Sequence, residues 1–227
     1  MRFFKRLALA LICLLLLWQG WYLGWVVWWK YSNPNMTRFM EIRLDELREK
    51  KPRAGLKHQW QDYERISSHL KRAVIAAEDD KFVDHEGFDW VGMQKALEKN
   101  QKKGKVVAGG STISQQLAKN LFLSPAKTPW RKAQEAAITL MLEALWDKQR
   151  ILEVYLNVVE WGDGVFGAEA AAQRYFGVSA AALGAEQAAR LAVMLPAPRR
   201  YEKNPYSEFM NAHTQLILGR MQYSELP

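Results

Sequence analysis

A long apolar run near the N-terminus constrains the fold of this chain more than any other feature of its sequence. Arg2, Lys5 and Arg6 precede an apolar stretch that extends from Leu7 to Trp29. As a helix with a rise of 1.5 Å per residue, this stretch is about 33 Å long, enough to cross the hydrocarbon core of a bilayer. The run therefore predicts one transmembrane helix within residues 1–30.

The surroundings of this run favour an uncleaved anchor. A signal peptide has a shorter apolar core and a small-residue cleavage site, and no Ala-x-Ala site follows here. The distal half carries aromatic side chains typical of a membrane interface, namely Trp18, Trp21, Tyr22, Trp25, Trp28 and Trp29. A buried helix of a soluble protein, the alternative, would not need so many tryptophans. The basic flank predicts a cytoplasmic N-terminus and an outward-facing remainder.

Length and charge limit how many domains the chain can form and which ligands it can bind. The chain has 227 residues, enough for one domain with a single core in addition to the anchor. Its formal net charge of +8 favours anionic partners, and nucleic acid, anionic lipid and diphosphate all fit this charge. Cys13 is the only cysteine, which excludes an intramolecular disulfide and a cysteine-based metal site.

The remainder of the chain is predicted to be mainly α-helical. Residues 31–55 form a juxtamembrane linker and a helix capped by Thr37, which packs on the domain in preference to the bilayer. Residues 56–227 form the domain, with predicted helices over residues 68–79, 112–121, 128–146, 148–160, 167–175, 183–194 and 205–222. Within residues 93–105 the second half lacks apolar spacing, which predicts a mobile basic loop. Strand-like alternation is almost absent.

The first of three polar clusters closes an apolar run with acids. Residues 73–77 are apolar, and Glu78, Asp79 and Asp80 follow them directly. Carboxylates at a helix C-terminus oppose the helix dipole, so that their presence favours a functional use. A carboxylate there can have a raised pKa and serve as a general base, which makes Glu78 the candidate. His85 is either a titrating group or a structural histidine, and the structural role is the more common one.

The other two clusters combine polar and cationic side chains. Residues 109–112 lead into a helix N-terminus, where free backbone N–H groups favour an anion. The amides of Gln115 and Gln116 suit sugar hydroxyls, and Lys119 can meet a diphosphate as a point charge. In the third cluster, Arg131 and Glu135 are spaced to form an ion pair, and Glu135 lies on a partly apolar helix face.

These clusters together resemble the ordered motifs of bacterial peptidoglycan glycosyltransferases. The matching segments are Glu78-Asp79-x-x-Phe82-x-x-His85-x-Gly87, Gly110-Ser111-Thr112-Ile113-x-Gln115-Gln116 with Lys119-Asn120, Arg131-Lys132-x-x-Glu135, Ile151-Leu152-Glu153-x-Tyr155-Leu156-Asn157, and Gly167 through Tyr175-Phe176-Gly177. The resemblance covers roughly residues 56–205, and the length of the chain favours the monofunctional biosynthetic peptidoglycan transglycosylases of this family.

The resemblance implies a lysozyme-like helical domain with a small membrane-facing lobe. It also implies polymerisation of lipid-linked disaccharide-pentapeptide (lipid II) into β-1,4 glycan strands, with inversion and release of polyprenyl diphosphate. Glu78 and Glu135 are the implied catalytic residues. The implied substrate-binding residues are Asp79, Phe82, His85, Ser111, Thr112, Gln115, Gln116, Lys119, Asn120, Arg131 and Lys132.

The same resemblance sets expectations for cofactors, partners and location. No metal site can be read from the sequence, and a requirement for Mg²⁺ or Mn²⁺, with Glu135 as a ligand, stays open. Expected partners are lipid II, the growing glycan strand and membrane lipids. Proteins of cell-wall synthesis and division are an open option, and nucleic acid is not expected. The expected location is the bacterial inner membrane, with the catalytic domain on the periplasmic side.

Two other functions remain as alternatives. A lysozyme-like lytic hydrolase would also use a catalytic Glu, to protonate a leaving glycosidic oxygen, but would not need clustered lysines. An inactive membrane-anchored scaffold of the cell-wall machinery is the second, and the intact Glu78 and Glu135 argue against it.

Overall fold

The N-terminal apolar run forms one long helix. The computed structural model describes residues 1–105 and 109–227. Helix α1 spans Arg2–Tyr31 and is, within the described residues, the one helix long and apolar enough to cross a membrane. Most of its side chains are exposed, whereas Tyr22 and Val26 are buried against the rest of the protein. The helix predicted within residues 1–30 is therefore present, and its distal half also packs on the domain.

The prediction of a mainly α-helical protein is confirmed. After α1 the described helices are α2 (Arg38–Lys50), α3 (Ser68–Glu78), α4 (Trp90–Lys103), α5 (Ile113–Phe122), α6 (Pro129–Leu145), α7 (Lys148–Val158), α8 (Ala168–Phe176), α9 (Ala185–Met194), α10 (Pro198–Tyr201) and α11 (Glu208–Arg220). A small sheet has the order β1 (Lys57–His58), β3 (Val165–Phe166), β2 (Glu160–Gly162). Strand β3 runs parallel to β1 and antiparallel to β2.

Side-chain caps determine where the helices of the site begin. Thr37 accepts a hydrogen bond from the Met40 amide at 3.2 Å at the start of α2. The predicted capping box of Thr112 and Gln115 is present at the start of α5. Helix α6 begins with Thr128 as its cap and Pro129 in its first turn, as predicted.

The prediction of a basic loop over residues 93–105 is wrong, since most of this segment belongs to α4. The Asp89 carboxylate accepts a hydrogen bond from the Gly92 amide at 2.9 Å, and Gly104 ends the helix in the left-handed region with φ +62°. Lysine, glutamate and glutamine have high helix propensity, so a capped and mostly exposed helix forms without an apolar stripe.

Two predicted helix boundaries are also corrected. Helix α7 ends at Val158, and Glu160 begins strand β2 instead of lying on the helix. The last long helix begins at Glu208 because the Ser207 hydroxyl accepts from the Met210 amide at 3.4 Å, so the earlier start expected at Asn204 does not occur.

Helix α5 lies in the centre of the domain, with α2, α6 and α7 around it, while α3 packs against α9 and α11. Phe39 and Met40 of α2 are buried, so this helix packs on the domain, as the sequence analysis expected. Helix α6 contacts α5 on one side and α1 on another. It thereby connects α5 to α1.

Candidate active site

Glu78 is the last residue of α3, and its carboxylate belongs to a chain of hydrogen bonds. The Gln116 amide donates to Glu78 Oε2 at 2.7 Å. The same amide group accepts, through its oxygen, from the hydroxyl of the fully buried Tyr155 at 3.0 Å. Tyr155 therefore fixes which end of the Gln116 amide faces Glu78.

Burial controls the protonation of this chain. It raises the pKa of Glu78, while the hydrogen bond from Gln116 and the charge of Lys119 act in the opposite direction. Burial also raises the pKa of Tyr155 well above its ordinary value, which keeps its hydroxyl protonated and able to donate. A carboxylate with a raised pKa that remains stabilised in its ionised form is suited to remove a proton from a hydroxyl.

Asp79 ties the end of α3 to the start of α5. Its Oδ2 accepts from the Ile113 amide at 2.9 Å, and its Oδ1 lies 2.9 Å from His85 Nε2. The Gly87 amide donates to His85 Nδ1 at 3.1 Å, so that in the neutral ring the proton resides on Nε2 and is donated to Asp79. Both ring nitrogens of His85 thus have partners within the protein, and Asp79 keeps Glu78 beside Gln116.

Some residues implied in substrate binding use their side chains inside the protein. Phe82 is fully buried, with Lys148 Nζ at 4.7 Å from its ring centroid. The Thr112 hydroxyl donates to the Gly87 carbonyl at 2.7 Å, and the Gln115 side-chain oxygen accepts from the Thr112 amide at 3.0 Å. The structure places these side chains where they hold the walls of the site.

Cationic side chains gather around a cleft of about 450 Å³ beside Gln116. The polar residues that line it include Arg43, Ser111, Gln116, Lys119, Asn120, Lys127, Arg131, Lys132, Glu135 and Glu160. Burial lowers the pKa of Lys119, and the charge of Glu135 counteracts this. The surplus of cations makes this cleft suitable for a polyanion such as a diphosphate.

Glu135 holds two of these cations in place. It is buried, and its two oxygens accept from the Arg131 guanidinium and the Lys132 ammonium. Lys132 also reaches the Ser111 hydroxyl at 3.2 Å. The predicted pair of Arg131 and Glu135 is therefore present.

The two ion pairs of Glu135 bear on whether this residue can also bind a metal ion. For Glu135 to ligate Mg²⁺ or Mn²⁺, one of its two ion pairs would have to open. In residues 1–105 and 109–227, acids, histidines and cysteines do not gather in threes where they could hold a metal ion. The described donor set does not fit a divalent cation.

A second cavity of about 200 Å³ lies beside Glu78. Glu78, Asp79 and the segment Gly109–Thr112 line it. Ser111 lines both cavities, so that they meet at the N-terminal end of α5. The site therefore has a candidate base in one cavity and a cationic cluster in the adjoining one, as acid–base chemistry next to a polyanion requires.

Sequence analysis missed several residues of this region. Glu143 accepts from the Ser114 hydroxyl and from Lys148 Nζ, the latter at 2.8 Å. Arg43 Nε donates to Glu160 at 3.2 Å at the edge of the cationic cleft, and burial raises the pKa of Glu160 to about 7. The pairs of Ser114 with Glu143 and of Arg43 with Glu160 join residues 29 and 117 positions apart, which no local pattern reveals. Glu143 and Lys148 are only five positions apart, but they lie on two different helices, α6 and α7.

Comparison with known proteins gives a consistent result. The profile of the transglycosylase family matches residues 45–222. The biosynthetic peptidoglycan transglycosylase of Dechloromonas aromatica (strain RCB) is 66% identical over 226 residues, covering 100% of this chain and 98% of that protein. Proteins of the same name from Azoarcus sp. (strain BH72) and Laribacter hongkongensis (strain HLHK9) are 63% and 55% identical, each over 100% of this chain and over 97% and 100% of their own lengths. The resemblance read from the motifs is confirmed, and the chain belongs to the transglycosylase family.

Proposed function

We propose that this transglycosylase polymerises lipid II into peptidoglycan glycan strands. The observation that carries this proposal is the position of Glu78, which is oriented by Gln116 in one cavity while Lys119, Arg131 and Lys132 surround the adjoining one. A polymerase of this kind must activate a sugar hydroxyl and stabilise a departing diphosphate in the same step. A hydrolase has no use for the second feature.

In the proposed reaction Glu78 removes the proton from the 4-hydroxyl of the acceptor sugar. The hydroxyl oxygen forms a bond to the anomeric carbon of the donor, and the bond between that carbon and the diphosphate oxygen breaks. The diphosphate leaves with the electron pair, and attack on the opposite face changes the α-linked donor into a β-1,4 product. The carboxylic acid formed on Glu78 then returns its proton to solvent.

The cationic cleft supplies the electrostatic part of this reaction. Lys119, Arg131 and Lys132 neutralise the charge that develops on the leaving diphosphate, because fixed charges in a partly dry site stabilise it without reorganisation. Glu135 keeps Arg131 and Lys132 in position before substrate arrives. Ser111, Gln116 and Asn120 line the cleft and are the proposed partners for sugar and phosphate oxygens. Asp79, Phe82, His85, Thr112 and Gln115 hold these groups in place.

The proposed location follows from α1. With Arg2, Lys5 and Arg6 on the cytoplasmic side, α1 crosses the inner membrane once and places the domain on the periplasmic side. Lipid II and the growing strand reach the site from the outer leaflet. The proposed domain division is the one expected from the sequence. The anchor comprises residues 1–30, a linker and helix residues 31–55, and the glycosyltransferase domain residues 56–227.

The test is an assay of the purified protein with lipid II in detergent. We expect glycan that lysozyme digests, together with released polyprenyl diphosphate. Glu78→Gln should keep the fold and lower the rate by a factor on the order of 10²–10⁴, as loss of a general base does. Glu98→Gln, at an exposed position of α4, is the matched control. Release of fragments from finished sacculi, without polymer from lipid II, would overturn the proposal in favour of the lytic alternative.

A further inference from the structure

Two buried glutamates line the cationic cleft, and they differ in how their carboxylates are paired. Glu135, in α6, has a cation on each oxygen, Arg131 on one and Lys132 on the other. Glu160, in β2, has its Oε2 at 3.2 Å from Arg43 Nε. Its Oε1 is buried and has no hydrogen-bond partner in the part of the chain that the structure describes. The protein therefore stabilises the ionised form of Glu160 less than that of Glu135.

The cation beside Glu160 is also shared with another acid. The Arg43 guanidinium donates to Glu46 at 2.7 Å, and Glu46 accepts in addition from Arg199 at 2.9 Å. The elements packed around Glu160 carry these ionisable groups: Glu46 of α2, Asp163 in the turn after β2, Tyr175 of α8, Arg199 of α10 and Glu202 directly after α10. Glu160 consequently receives only part of the positive charge of Arg43.

Burial and charge place the ionisation of Glu160 near neutral pH. Burial raises its pKa to about 7, the charges of Arg43 and Arg199 oppose this, and the charge of Asp163 adds to it. Burial also raises the pKa of Tyr175, so that this phenol stays uncharged. Glu160 therefore exchanges its proton with solvent near pH 7.

The ring of Phe39 connects Glu160 to the cations proposed for the diphosphate. The guanidinium carbon of Arg43 lies 4.8 Å from the ring centroid, and Lys119 Nζ lies 5.8 Å from it. All four residues line the same cleft of about 450 Å³. Charges in water are screened over about 8 Å at physiological ionic strength, and partly buried charges are screened less. A polyanion in this cleft therefore lies within electrostatic range of Glu160.

A bound polyanion changes the protonation of this carboxyl group. An ionised Glu160 repels incoming phosphates, whereas a neutral Glu160 does not. Negative charge nearby favours the protonated form, so that the pKa of Glu160 rises further when a diphosphate occupies the cleft. By reciprocity, a ligand that strengthens the binding of a proton is itself bound more strongly when that proton is present.

We propose that Glu160 takes up one proton from solvent when a diphosphate enters the cleft, so that binding of the anionic substrate is coupled to neutralisation of this carboxylate. Oε1 is the oxygen free to carry the proton, since Oε2 accepts from Arg43. The proton returns to solvent when the diphosphate leaves. The proposal deepens the proposed function and rests on it for the identity of the ligand. Affinity for the diphosphate is then full below the pKa of the free protein and falls as the pH rises above it.

The first test counts protons. The full chain in detergent is titrated with farnesyl diphosphate by calorimetry at pH 8, in two buffers that differ in their enthalpy of ionisation. We expect the parent to take up nearly one proton more than Glu160→Gln, which keeps an acceptor for Arg43 but cannot ionise. Glu98→Gln, at an exposed position, should match the parent. Equal proton counts in the parent and Glu160→Gln would overturn the proposal.

The second test follows the affinity. Between pH 6 and pH 8 the Kd of the parent for farnesyl diphosphate should rise about tenfold relative to that of Glu160→Gln. The ratio of the two constants cancels the titration of the ligand and of Glu78, which both proteins share. Purely structural damage would change this ratio equally at every pH, and a ratio independent of pH would count against the coupling.

A further variant keeps the test decisive if Glu160→Gln does not fold. Arg43→Met removes the cation that favours ionised Glu160, so the carboxyl group is already more protonated before the ligand arrives. Its proton uptake at pH 8 should be smaller than that of the parent, and an equal or larger uptake would contradict the proposal. If the parent polymerises lipid II while its proton count equals that of Glu160→Gln, only this proposal fails. If the parent shows the extra proton but makes no polymer, the proposed function fails and the coupling stands.

Discussion

Replacing Gln116 by methionine tests whether its amide controls the ionisation of Glu78. Methionine has nearly the length of glutamine and is apolar, so it fills the space between Glu78 and Tyr155 without donating a hydrogen bond. In the parent, the Gln116 amide lies 2.7 Å from the carboxylate and lowers its pKa, which burial raises. Without this donor, the ionised form of Glu78 loses part of its stabilisation.

The direction and size of the effect follow from the hydrogen bond. Glu78 acts as a base only when it is ionised, so the rate falls as the pH falls through its pKa, and the substitution should move this fall to higher pH. A hydrogen bond to a charged group contributes about 1.5–3 kcal/mol. Because Glu78 is only half-buried, the lower value applies, and the rate on the acid side should decrease about tenfold.

The assay is the pH dependence of kcat/KM for polymerisation of lipid II, measured in detergent. At high pH the rate of Gln116→Met should approach that of the parent, apart from any contact that Gln116 makes with the sugar. Tyr155→Phe is the companion variant, because it keeps the Gln116 amide but frees its orientation, and it should show a smaller displacement in the same direction. A profile that stays in place, or moves to lower pH, would refute the assigned role of Gln116.

Two predictions concern stability. The folded protein protonates Glu160 near pH 7 and the unfolded chain near pH 4.5, so unfolding free energy falls as pH rises between these values. Glu160→Gln removes this loss, so by pH 8 its unfolding free energy should exceed that of the parent by up to about 3 kcal/mol. The measurement is chemical unfolding in detergent, with Glu98→Gln as the control. Arg150→Met should cost about 3–5 kcal/mol, because it leaves Glu153 without its cation and the end of α1 without its donors. An unfolding curve of Arg150→Met that matches the parent would show that the end of α1 is held by other contacts.

The local signals of the sequence predicted most helix starts. Thr37, Thr112 and Thr128 each act over three residues, and such short-range caps can be recognised without knowledge of the fold. Helix α4 was missed because it stands almost free of the core, so the apolar spacing that marks packed helices was absent. Its caps, Asp89 and Gly104, were present in the sequence and were the better signal.

In the candidate site, too, contacts within one helix were predictable from the sequence and contacts between helices were not. The pairing of Arg131 with Glu135 follows from helical spacing and was predicted. The hydrogen bond by which Tyr155 orients Gln116 was not predicted. It joins helices α5 and α7, and only the packing of these two helices sets the distance between the two side chains. The sequence motifs identified which residues gather at the site, but not that Asp79 and His85 contact each other there.

The contacts between Arg150 and the carbonyls at the end of α1 have a practical consequence for protein production. A recombinant fragment that starts after Tyr31 would remove the Trp29 carbonyl, leave the guanidinium short of acceptors and expose the ring of Trp146 to water. Such a fragment should be less stable in detergent than one that retains residues from Trp18 onward. The C-terminal end of α1 is therefore not the border of the folding unit, and exchanging α1 for an unrelated apolar helix would remove Tyr22 and Val26 from the domain's own core.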